Sequence, residues 1–112
     1  MFYLKIKMKN NWNYKQGDKV YFIGERMGYT IRACDDRYLI CTKPYNFRPN
    51  TCIYTIVDLQ ENIKGMDSYV LGPYDYWSQE DCDNGLKELQ EGTMKLSYRH
   101  REPLNIDYIK NL

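Results

Sequence analysis

Short β-prone runs, each ended by glycine, proline or an Asn/Asp cluster, fill the chain as far as Gly72-Pro73, and this punctuation constrains the fold most. Such runs are too short for ordinary helices, and neighbouring runs separated by tight turns make antiparallel hairpins. Residues 2–9 alternate strictly, with Leu4, Ile6 and Met8 against Lys5, Lys7 and Lys9, the mark of a half-buried strand with a lysine-protected edge. Residues 10–16 read as a loop. Gly17-Asp18 then opens a strand through Val20, Tyr21, Phe22 and Ile23, closed by Gly24 and Gly28. In residues 29–43 two β-prone runs flank Asp35-Asp36-Arg37, which predicts a hairpin. Pro44 to Asn50 reads as a loop, and the β-branched run at 51–59 as a central strand. A turn is expected around Gly65 within 62–67, followed by a short strand at 68–71.

Beyond Gly72-Pro73 the period changes. Ser78 and Asp81 have the spacing of a capping box, and Cys82, Leu86 and Leu89 recur at i, i+4 and i+7. The pattern predicts one helix over about 78–91, stopped by Gly92. Gly85 in its middle costs about 1 kcal/mol relative to alanine, which points to a close approach to the sheet. A strand at 94–99 and a short tail bearing Pro103, Leu104, Ile106 and Ile109 complete the chain. The expected class is α+β, mostly β. A small twisted antiparallel sheet or partly open barrel of about six strands carries one helix in the C-terminal half. At 112 residues the chain suits a single domain, 1–112, with one real core.

Several chemistries find no support in the residues. The longest apolar runs, such as Val20 to Ile23, are far too short for a bilayer, and no secretory leader pattern opens the chain, so a cytoplasmic protein is expected. The single histidine, His100, lies between Arg99 and Arg101, whose charges oppose its protonation. Cysteines stand at 34, 41, 52 and 82, without the C-x-x-C spacing of metal or redox sites. In a tight hairpin Cys34 faces residue 37 or 38, which places Cys41 roughly 10–13 Å away, beyond disulfide reach. Free, mostly buried thiols are expected. No Asp-x-Lys, Glu-x-Lys or phosphate-cradling glycine loop occurs, and Asp35-Asp36 suits turn chemistry better than a cation. Neither catalytic residues, a metal site nor a cofactor is expected.

Charge is segregated although the total is only +1. Residues 1–50 carry ten Lys/Arg and four Asp/Glu, residues 51–92 two and nine, and residues 93–112 four and two. The basic block sets Arg32, Arg37, Lys43 and Arg48 around the hairpin, interleaved with Tyr38 and Tyr45. The acidic block includes one side of the helix, with Glu80, Asp81, Asp83, Glu88 and Glu91. Tyrosine is over-represented, with 12 copies against 3 Phe, as suits either a half-buried sheet or an interaction surface. The candidate partner-binding residues are therefore Arg32, Arg37, Lys43, Tyr45 and Arg48, with Arg99 and Arg101 as extensions. Such a patch grips an acidic protein surface or a phosphate backbone. The near-zero net charge gives little long-range attraction to a polyanion. Opposed charged blocks also suit self-association as a homodimer.

Gly17-Asp18-Lys19-Val20 followed by the hairpin resembles the opening of KOW- or Tudor-like small barrels, over residues 17–43. Over residues 17–107 the chain is similar to small uncharacterised proteins of bacteriophages and mobile elements of gut bacteria. That similarity lies in the run from Tyr29 to Pro44, in Tyr54-Thr-Ile-Val-Asp58, and in Ser97-Tyr98-Arg99. It implies a phage-like origin and transfers no functional residue. Small phage proteins without catalytic sets often bind host machinery. The expectation is a non-enzymatic binder of a host or defence protein, of the anti-CRISPR type, with direct nucleic-acid binding by the basic hairpin as the alternative and no membrane partner.

Overall fold

A computed structural model describes residues 14–45, 49–65, 74–75, 77–94 and 102–110. The strands expected at 2–9, 68–71 and 94–99 lie outside them, apart from the buried Met94. Strand β1 is Lys19–Phe22, β2 Tyr29–Cys34, β3 Tyr38–Pro44, β4 Cys52–Asp58 and β5 Ile63–Gly65. Strand β6 is Tyr74–Asp75, helix α1 Gln79–Glu91, β7 Glu102–Pro103 and β8 Ile106–Lys110. All pairings are antiparallel. The strand order is β7-β5-β4-β3-β2-β1-β8, and β6 pairs with the far edge of β4 beside β5. The sheet curls into a half-barrel, so the fold is mostly β with one helix among the described residues, as the punctuation predicts. No helix among the described residues is long and apolar enough to cross a membrane.

Alternation along the strands sends successive side chains into two cores. Val20, Phe22, Tyr29, Ile31, Leu39 and Val57 build the first, joined by Leu104 and Ile106 from the C-terminal segment. Ile40, Tyr54, Ile56 and Trp77 build the second, closed by Cys82 and Leu89 of α1. Leu39 and Ile40 are both fully buried on opposite faces, so truncating either to alanine is expected to cost about 2–5 kcal/mol. The helix starts where the sequence marks it. Ser78 Oγ accepts from the Asp81 amide, and the Asp81 carboxylate accepts from the Ser78 amide. Trp77 precedes the cap and Cys82 sits one turn in, and both join the second core as a hydrophobic staple. Gly92, at φ 82°, ends the helix in the left-handed region, and the amides of Thr93 and Met94 reach back to Glu88 O.

Two expectations are corrected. The turn placed around Gly65 falls earlier, with Asn62 at φ 59°, and residues 63–65 are strand, held by pairing to β4. The short tail after Pro103, given no element from the sequence, is largely strand. It forms β8, whose Ile109 and Ile106 lie opposite Val20 and Phe22 and extend the sheet past β1. All four cysteines are free, Cys41 and Cys82 buried and Cys34 and Cys52 half-buried. Cys34 faces Leu39 rather than residue 37 or 38.

Candidate binding groove

The β2–β3 ladder slips by one residue. Ile31 lies opposite Cys41 and Ala33 opposite Ile40, leaving Arg32 as the extra residue of a β-bulge. The bulge turns Ala33 to the helix-covered core and Cys34 to the other face. It also brings the Arg32 guanidinium toward the start of α1. There Arg32 Nε donates to Gln79 Oε1 at 3.3 Å and Nη1 to Thr42 Oγ1 at 3.1 Å. Gln79 Nε2 in turn donates to Arg32 O at 2.6 Å and to Asp83 Oδ1 at 3.0 Å. The first helical residue and the bulge therefore hold each other.

Beside this clamp a single cross-strand row runs Lys19, Thr30, Thr42, Tyr54. Lys19 Nζ donates to Thr30 Oγ1 at 2.9 Å. Trp77 stacks on Tyr54 with ring centroids 4.4 Å apart and forms a wall over the end of the row. The result is a groove of about 330 Å³ bordered by Lys19, Thr30, Arg32, Thr42, Cys52 and Trp77, with Pro44 and the 50–51 turn at its mouth. Trp77 is 2% exposed, and its indole N–H has no acceptor among the described residues. Burial pushes the Cys82 thiol beneath this region up to about 11, against the opposing charge of Arg32.

The basic residues expected to act together are divided by the fold. Arg32 lies in the groove. Arg37 stands at the hairpin turn, where Nε and Nη2 grip the two oxygens of Asp58 at 3.0 and 2.9 Å. Asp58 is 4% exposed and also accepts the amides of Gln60 and Glu61, so the pair closes the β4–β5 turn. The Asp58 hydrogen bonds hold the Arg37 pKa above its ordinary value. Lys43 borders the groove, yet its ammonium pairs with Glu25 at 3.3 Å and lies 4.6 Å from the Tyr29 ring centroid. Tyr45 is half-buried, and its amide bonds Thr51 O across the base of the loop. Arg48, Arg99 and Arg101 lie outside the described residues.

Glu25 accepts a second lysine, Lys64, at 3.1 Å. Burial raises its pKa, but the bonds and charges of Lys64 and Lys43 outweigh burial and hold it below the ordinary value. Arg37, Lys43 and Lys64 are thus ion-paired, whereas Lys19 and Arg32 have no carboxylate partner among the described residues. Sequence reasoning did not select Lys19, Thr30, Thr42, Trp77 or Gln79. Lys19 alternates outward between Asp18 and Val20, and Trp77 immediately precedes a cap, so both carried a local signal. Among the described residues no group of three or more His, Cys, Asp or Glu side chains is placed to hold a metal ion. No protein-family model, curated protein or solved structure matches the chain.

Proposed function

We propose that this chain is a non-enzymatic binding protein that occupies an acidic surface of a macromolecular partner through the Lys19–Arg32 groove. The observation that carries it is the pair of cations that line one open groove, held by neutral acceptors and matched by no carboxylate among the described residues. Positive charge fixed in place without compensation favours a complementary anion, and fixing it beforehand reduces the ordering cost of binding. The similarity to phage and mobile-element proteins supports a host or defence protein as that partner, with inhibition by occupancy as the mode of action. The sequestered state of Arg37 and Lys43 narrows the contact to fewer residues than the basic hairpin as a whole.

The test is affinity capture from bacterial lysate by the tagged full chain, with and without nuclease, followed by gel filtration of the mixture. A protein that survives nuclease and co-elutes in a fixed ratio is the expected result. Recovery that disappears with nuclease, with affinity falling steeply between low and moderate salt, would instead establish direct nucleic-acid binding and overturn the protein partner.

A further inference from the structure

The chemistry of the groove specifies more than negative charge. It offers two cations and two threonine hydroxyls already engaged by them, beside the buried Trp77. Arg32 Nε and Nη1 are committed to Gln79 and Thr42, while Nη2 makes no bond among the described residues. The remaining wall, from Pro44, Cys52 and the Trp77 ring, is largely apolar. A dianion carried into such a site would leave much of its hydration unreplaced, because few directed donors remain to receive it. A monoanion on an apolar stem meets both halves of the lining. The volume, about 330 Å³, lies at the low end for a ligand pocket and suits one or two side chains rather than a helix or a duplex.

Resting on the partner contact proposed above, we infer that the groove receives one carboxylate on an apolar or aromatic stem, an acidic side chain of the partner flanked by aromatic residues. Lys19 and Arg32 Nη2 pair with the carboxylate, and the Trp77 ring borders its stem. The Tyr54 stack and the Gln79 clamp hold these groups in place beforehand. A carboxylamide of the same shape keeps the apolar contacts and loses the ion pair, so it binds more weakly.

The experiment uses the 15N-labelled full chain carrying Trp12→Phe, which leaves Trp77 as the one indole of the two tryptophans. Acetyl-Phe-Glu-Phe-amide, its Gln counterpart, phenylacetate and inorganic phosphate are titrated in turn. The Glu peptide is expected to move the Trp77 indole N–H and the amides of residues 30–32 and 42–43. The Gln peptide should bind weaker by roughly tenfold or more, and K19M/R32M should remove the difference between them. Equal binding of the two peptides, tighter binding of phosphate, or an unmoved Trp77 N–H with every probe would overturn the inference. Phenylacetate binding without peptide binding would assign a free organic acid and overturn the partner as source. If lysate capture needs Lys19 and Arg32 while the Glu peptide leaves Trp77 unmoved, the carboxylate assignment fails and the partner contact stands. Capture that is indifferent to both cations removes the partner contact itself.

Discussion

Identical residue types in this chain do different work according to who stands opposite them. Arg37 and Arg32 are five positions apart, yet one closes a turn through Asp58 and the other borders a groove through neutral groups. Composition and local spacing are blind to that difference, because the deciding partners are 21 and 47 residues distant. Glu25 illustrates the same point and yields a pH prediction. Its folded pKa lies below the ordinary value of 4.5, so its contribution to stability is present above that value and is lost as pH falls through the lowered one. Glu25→Gln is therefore expected to lower the urea midpoint at neutral pH. The gap between variant and wild type should close in acid, once the Glu25 carboxylate is protonated. Paired urea titrations across that range check it, and a gap that persists in acid would show that Glu25 acts through packing instead of charge.

At the scale of elements, what was legible in the sequence was what is settled locally. The capping box at Ser78 and Asp81, the stop at Gly92 and the turn at Asp35 each lie within a few residues of their cause. The tail forms β8 through a pairing with β1 that spans most of the chain, so local pattern assigns it no element. The bulge at Arg32 was likewise hidden, since alternation in residues 29–34 looks regular until β3 fixes the register. Gly85 was legible in purpose. A Cβ there would stand 3.2 Å from Ile40 Cδ1 and 3.7 Å from Trp77 Cζ3, so the helix approaches the sheet through this residue. Gly85→Val is expected to destabilise the protein by about 1–3 kcal/mol, despite the gain over glycine in helix propensity. It should also disturb the near-ultraviolet signal of Trp77. Urea denaturation and near-ultraviolet circular dichroism measure both, and a more stable variant with an unchanged Trp77 signal would contradict the close approach.

For the molecule as a whole, the half-barrel separates structural charge from available charge. Lys43 and Lys64 converge on Glu25 and lie near the rings of Tyr29 and Phe22. The helix carries exposed Glu80, Asp81, Asp83, Glu88 and Glu91. Between them the row of Lys19, Thr30 and Thr42 opens beside Trp77. The segregation of basic and acidic blocks was visible in the sequence, whereas the division of the basic block by ion pairing was not. The account therefore turns on Lys19 and Arg32 acting together at one surface. The most direct measurement compares K19E/R32E with R26E/K87E, a double reversal at exposed positions outside the groove, in the same lysate capture and with far-ultraviolet circular dichroism of each protein. K19E/R32E is expected to keep the wild-type spectrum and lose the captured partner, while R26E/K87E retains it. Retention of the partner by folded K19E/R32E would contradict the groove as the binding site.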